Sequence, residues 1–150
     1  MSEHVLERVQ LIARERSAVF AFFADAHNLE SLTPPWLKFG LLTQGSIQMA
    51  VGTLIGYRMR LHAIPVRWLT RIEEWRPESS FVDRQLRGPY KLWHHTHIFE
   101  DHEEGTLMRD RVRYALPFGP LGEVAHLAFV RHDLRRIFDY RRDAVARLLG

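Results

Sequence analysis

Two histidines set two residues apart, His95 and His97, sit in a run that reads as a β-strand, residues 92–99. Residues i and i+2 of a strand share one face, so both imidazoles point the same way. The neighbouring strand-like runs carry Asp83 and Gln85 (residues 81–87) and Asp110 (residues 106–116). A turn at Gly88-Pro89 brings Asp83 or Gln85 opposite His95 or His97, and the polar loop 101–105 brings His97 opposite Asp110. Cross-strand partners hold their Cβ atoms about 4.5–5.5 Å apart, within reach of a histidine–carboxylate hydrogen bond. Such a pair has three uses. Buried polar groups satisfy one another, since one left unpaired costs about 1–3 kcal/mol. They can orient the polar head of a molecule held in an otherwise apolar cavity. Or a histidine held by a carboxylate acts as a general base, with a tyrosine polarising a carbonyl. On the third reading the catalytic candidates are His95, His97 and Asp110.

The same residues offer two imidazoles and a carboxylate, a set that holds zinc or non-haem iron when the ligands converge. Nine histidines are scattered along the chain, so such a cluster arises easily by chance, and neither a metal nor another cofactor is assigned. Around the polar groups the parity of the strands sets Tyr57, Met59, Trp68, Trp93 and Tyr114 on the inward face. Trp36, after Pro34-Pro35, is placed at the mouth of the cavity or as a seal on the core. Arg131 and Arg141 interrupt the apolar stripe of the last helix; their stems pack on the sheet, or Arg131 reaches an acidic ligand. No phosphate-binding glycine loop and no serine nucleophile elbow is present.

The elements that must position these groups follow from periodicity. Residues 3–12 read as a first strand. Ser17 caps a short helix over 18–24, and Asn28 caps another over 29–32 that Pro34-Pro35 ends. Residues 36–44 read as a strand that the alternation of Ile47, Met49 and Val51 extends to Gly52. Strands over 53–62, 66–76, 81–87, 92–99 and 106–116 follow, with turns at 63–65, 77–80 and 88–89. Arg109, Arg111 and Arg113 form a row facing solvent. From Glu123 to Leu149 there is no Gly or Pro, and a stripe through Val124, Leu127, Ala128, Arg131, Leu134, Ile137, Phe138, Arg141 and Val145 marks one long amphipathic helix. The order β, α, α, six β, α gives an α+β helix-grip sandwich, a curved antiparallel sheet around a long C-terminal helix.

Length and composition narrow the function. At 150 residues the chain is read as one domain, 1–150, with 46% hydrophobic residues to fill its core. Without cysteine there are no disulfides, thiol catalysis or cysteine metal sites. No stretch approaches the roughly 20 apolar residues of a membrane span, and the start lacks the features of a signal peptide, so a cytoplasmic location is expected. The net charge of +3 is spread among interleaved acids, unlike the basic face of a nucleic-acid binder.

The chain resembles the START / Bet v 1-like superfamily, in particular its bacterial polyketide cyclase/dehydrase and lipid-transport group. The resemblance is carried by Phe22-Phe23-Ala24-Asp25-Ala26-His27-Asn28-Leu29-Glu30, Leu32-Thr33-Pro34-Pro35, Gly52-Thr53, Phe81-Val82-Asp83, Gly88-Pro89-Tyr90, Trp93-His94-His95-Thr96-His97-Ile98-Phe99, Gly105-Thr106 and Leu116-Pro117-Phe118-Gly119-Pro120-Leu121-Gly122. It covers essentially the whole chain and implies a helix-grip fold with a cavity between sheet and helix. It selects no ligand, because members share a container rather than a chemistry, and no catalytic residue is carried over. The expectation is a binding protein for an apolar or amphipathic small molecule, lipid, isoprenoid or polyketide-like. Its site is assigned to Trp36, Tyr57, Met59, Trp68, Asp83, Gln85, Trp93, His95, His97, Asp110, Tyr114 and Arg131. A cyclase, dehydratase or hydrolase using an inward histidine–carboxylate pair, and a protein-interaction module, are the alternatives.

Overall fold

A computed structural model of the chain describes residues 2–150. Alternating apolar residues build β1 (His4–Ile12), β3 (Leu54–Leu61), β4 (Ile64–Arg76), β5 (Ser80–Arg87), β6 (Leu92–His102) and β7 (Gly105–Ala115), with a two-residue β2 (Gly40–Leu41) at one edge. They form one antiparallel sheet in the order β1-β7-β6-β5-β4-β3-β2. All but one of its neighbour pairs join consecutive strands; only β1 returns to lie beside β7. Between β1 and β2 come α1 (Arg16–Ala24) and α2 (Leu29–Leu32). A 31-residue helix closes the chain as α3 (Gly119–Ala125), a π-helical turn (His126–Val130) and α4 (Arg131–Leu149). The fold is thus the expected α+β helix grip.

Two register shifts in the β4–β5 ladder, at Leu69/Thr70 and Ile72/Glu74, bend the sheet. Past the second one the inward parity of β4 changes, which turns Trp75 toward Phe20 and Phe81. The concave face carries two apolar clusters. One joins Phe20 and Phe23 of α1 to Phe81, Phe99, Met108 and Val145. The other joins Trp68, Trp93, Val112 and Tyr114 to Leu134 and Phe138. Outside, the arginine row of β7 is paired: Arg109 with Glu100, Arg111 with Glu7 and Arg113 with Glu3.

Local details differ from the sequence expectation for identifiable reasons. Residues 36–52 are not a long strand. Pro35–Leu37 form a 3-10 turn, Lys38 takes a left-handed conformation (φ 51°), and only Gly40–Leu41 pair with β3. Ile47 and Met49 do use their alternation to pack, but against Ile55 and Ile72 as a cover rather than a ladder. The loop is held instead by Thr53, whose hydroxyl accepts from Ala50 N–H and donates to the Gln48 carbonyl. The turn expected at 63–65 is His62-Ala63, both at positive φ, the twist that suits a two-residue hairpin. Ser17 lies inside α1, which begins at Arg16, and Asn28 stands at the N-cap position of α2 as expected but makes no capping bond, its amide donating to the Phe22 carbonyl.

The phase of the last helix is the larger correction. Its first third buries Gly122 and His126, whereas Val124 and Leu127 are 63% and 66% exposed. Gly122 is pressed so close to the preceding turn that a Cβ there would meet the Pro117 carbonyl oxygen at 2.1 Å. The positions turned to the sheet then run 122, 126, 130 (partly buried) and 134, a spacing of four that drifts on a 3.6-residue helix and that the wider π turn absorbs.

Gly105 begins β7 at φ 138°, where a Cβ would lie 2.1 Å from the Ile12 carbonyl oxygen. Gly45, at φ 77°, has open space around it. Gly105→Ala is therefore expected to lower the unfolding free energy by more than about 2 kcal/mol, and Gly45→Ala by only about 1 kcal/mol. Urea denaturation of the two variants checks this; equal losses would mean that the β1–β7 corner yields freely.

Candidate functional site

The ladder registers bring the polar groups together. Asp83 on β5 lies opposite His95 on β6, and His97 lies opposite Asp110 on β7. Because β6 alternates, both imidazoles face the helix, and they stack on each other at 3.7 Å between ring centroids. Phe81 stacks on the far side of His97 at 4.0 Å. His95 Nε2 is 2.8 Å from Asp110 Oδ1, and His97 Nε2 is 2.6 Å from Asp83 Oδ2. From α4, Arg141 reaches down between them, with Nη2 3.4 Å from Asp110 Oδ1. Its guanidinium also sits over the ring of Phe23, 5.1 Å from the centroid. Both histidines are buried, at 5% and 4% exposure, and Asp110 is 9% exposed.

Burying two carboxylates side by side demands counter-charge. For Asp110, burial pushes the carboxyl up, but the Arg141 charge and the hydrogen bonds from His95 and His97 outweigh it and hold it well below the usual range. Asp83 is likewise raised by burial, yet the hydrogen bond from His97 and the surrounding positive charges bring it below its ordinary value. The two histidines diverge. Burial and the charge of His97 push His95 down. At His97 burial acts in the same direction, but hydrogen bonds to Asp110 and Asp83 prevail and raise it. The Arg141 guanidinium and the histidines thus offset two carboxylates, with His97 holding a second proton more tightly than His95. A carboxylate only accepts hydrogen bonds, so neutral His95 donates from Nε2 to Asp110 and keeps the lone pair on Nδ1. Asp83, His95 and His97 also place one ligand atom each within 4.8 Å of the others. In this arrangement, however, the carboxylates already engage both imidazoles.

This cluster forms the polar floor of a pocket of about 150 Å³. Its walls come from α1, α2 and the residues around them (Phe23, Ala26, Leu29, Leu32, Thr33), from the sheet (Ile55, Tyr57, Ile72, Trp93) and from α4 (Ile137, Phe138). A second chamber of about 130 Å³ adjoins it, bounded by Leu37, Met59, Trp68, Tyr90 and Leu134. Leu29, Thr33, Tyr57, Trp93 and Ile137 line both. Thr70 organises the aromatic side, accepting from Trp68 Nε1 at 3.0 Å and lying 3.3 Å from the Tyr57 hydroxyl.

Of the residues assigned from sequence, Tyr57, Asp83, Trp93, His95 and His97 line the main pocket, and Met59 and Trp68 line the second chamber. Asp110 lies behind the histidines. The remaining four are elsewhere. Gln85 is taken up by the turn that follows it, its amide bonded to both the N–H and the carbonyl of Tyr90. Tyr114 is bonded to His126. Trp36 is 46% exposed, edge-on to Tyr140 and under Arg136. Arg131 is exposed on the outer side of the helix, as the corrected phase requires. The arginine that enters the site is Arg141. The signal for it was present: it interrupts an apolar stripe above two carboxylates that need a cation.

A long helix gripped by a seven-stranded antiparallel sheet defines the Bet v 1-like fold. No protein-family model and no curated protein sequence matches the chain, whereas many solved structures share its architecture. The Zhui aromatase/cyclase from Streptomyces sp. R1128 superposes with a TM-score of 0.76 over 97% of this chain and 92% of its own, at 14% identity. Protein CV1439 from Chromobacterium violaceum gives 0.75 over 97% and 96%, at 13% identity. Ara h 8.0201 gives 0.64 over 96% and 98%, at 14% identity. At these identities the likeness is one of fold, that of the Bet v 1-like superfamily that the sequence motifs resemble.

Replacing Asp110 by asparagine removes the carboxylate that Arg141 and both histidines share. Breaking a buried ion pair from one side costs about 3–5 kcal/mol, so Asp110→Asn is expected to lose that much in denaturant unfolding at neutral pH. A loss below about 1 kcal/mol would mean that the cations are satisfied by water.

Proposed function

We propose that the protein binds an apolar or amphipathic small molecule in the space between the sheet and α4. The observation that carries this reading is the pocket's composition: mostly aliphatic and aromatic, with Asp83, His95, His97 and Arg141 gathered in one polar cluster. That is how small-molecule sites combine affinity with orientation. An apolar cavity of about 150 Å³ holds a single aromatic ring; the adjoining chamber extends the space for a longer or fused-ring molecule. Affinity derives from buried apolar area, at about 25 cal/mol per Å² before the losses of association. Asp83 on the pocket wall favours a ligand group that donates a hydrogen bond, a hydroxyl or a phenol, over a carboxylate.

A second reading, catalysis on a polyketide-like or aromatic substrate, draws on one feature. His95 is neutral, oriented by Asp110, and lines the pocket, which is the arrangement of a general base. An aromatase/cyclase among the fold neighbours supports the same direction by analogy only.

A direct test uses 2-naphthol, two fused rings bearing one hydroxyl, titrated against the fluorescence of Trp68 and Trp93. Saturable binding is expected, weakened at least tenfold by Ile137→Trp, which fills the wall common to both chambers, and more modestly by Asp83→Asn. No saturable binding by the parent, or equal binding by a folded Ile137→Trp variant, would contradict the proposal.

A further inference from the structure

A second cluster lies away from the pocket, where the start of β1 meets the start of the long helix. His4 pairs with Tyr114 across β1 and β7. Glu123 comes from α3, and His126 opens the π turn. The His126 ring is buried at 4% exposure, its Nε2 2.8 Å from the Tyr114 hydroxyl, while its Nδ1 is buried with no hydrogen-bond partner. His4 stacks on it at 3.6 Å and points Nε2 to Glu123 Oε1 at 3.2 Å. One ligand atom from each of the three lies within 4.8 Å of the others.

We propose that His4, Glu123 and His126 bind a divalent cation of the zinc class. Mutual hydrogen bonding accounts for His4 and Glu123 but leaves the Nδ1 of His126 orphaned, and a buried polar atom without a partner is costly. A metal at Nδ1 resolves this. The bond to Tyr114 then takes the Nε2 proton, the outer-shell contact that fixes the tautomer of a ligating histidine. The separation of His4 and Glu123 suits a tetrahedral shell: bonds of about 2.1 Å place neighbouring ligand atoms about 3.4 Å apart. Two imidazoles and a carboxylate favour zinc over magnesium or calcium. The His4 and Glu123 side chains are 23% and 34% exposed, so the ion has a path in and water completes its shell. Binding requires the two rings, now 13° from parallel, to tilt apart, which His4 can do at the first position of its strand. The ion then fastens the sheet edge to the helix start.

The test takes the full chain, stripped with chelator, and titrates it with Zn(II) by calorimetry and native mass spectrometry. One ion per chain with micromolar or tighter affinity and a raised melting temperature is expected. His4→Ala and Glu123→Gln, both at partly exposed positions, should each weaken binding at least tenfold, and Tyr114→Phe about tenfold. His132→Ala, at an exposed histidine outside the cluster, should leave it unchanged. No binding at micromolar zinc, or binding that survives both His4→Ala and Glu123→Gln, overturns the proposal. None of these results bears on ligand binding in the pocket.

Discussion

Two carboxylates set under one helix, Asp110 buried and Asp83 half-buried, are the constraint on which the rest of the structure depends. Asp83 and Asp110 cannot both stay ionised beneath α4 unless positive charge is delivered to them in a dry place. The sheet supplies His97 through register and the helix supplies Arg141 through phase. Each delivery has its own structural precondition. The register requires short hairpins and unbroken alternation through β5, β6 and β7. The phase requires Gly122 to let the helix start close to the preceding turn and the π turn to keep positions 122, 126, 130 and 134 on the sheet side. With the helix rotated as the apolar pattern of Val124 and Leu127 suggests, Arg131 would point inward.

That division explains what was legible in the sequence. The period of a strand is two and leaves little freedom, so Asp83, His95, His97 and Asp110 could be placed on one face and opposite one another from turn positions alone. A helix of 3.6 residues per turn tolerates several phases when its apolar residues exceed what the sheet can cover, and here Val124 and Leu127 stay exposed. For that reason the apolar stripe points to Arg131, whereas the arginine that lines the pocket is Arg141. Gln85 shares the parity of Asp83, but the turn at Gly88-Pro89 needs its amide, a local demand that alternation does not reveal. In the segment after Pro34-Pro35, apolar alternation was read as a strand, yet it serves to cover Ile55 and Ile72 while the backbone follows the left-handed Lys38 and the Thr53 side chain. The π turn leaves no composition signature, and His126 went unnoticed with it.

The cluster also shapes the pocket above it. Phe81, His97 and His95 form a continuous stack, which fixes the imidazole planes and presents their edges to the carboxylates. With charges offset in pairs, the floor is polar but close to neutral overall, and its surroundings remain apolar on the α1 and α4 sides. On the proposed function, a site of this kind selects by shape and by one or two hydrogen bonds rather than by net charge.

The central claim is that the two imidazoles of the floor hold a second proton unequally, His97 more tightly than His95. Nitrogen-resolved NMR of the imidazoles across a pH titration tests it most directly. His97 should release its second proton only above the ordinary value of 6.5, while His95 takes one up only below that value. The stability contributed by His97 is then fully present below the ordinary value of 6.5 and fades as the pH rises through its raised folded value. Two histidines that titrate together near 6.5, or a His95 that holds its second proton to higher pH than His97, would contradict the account.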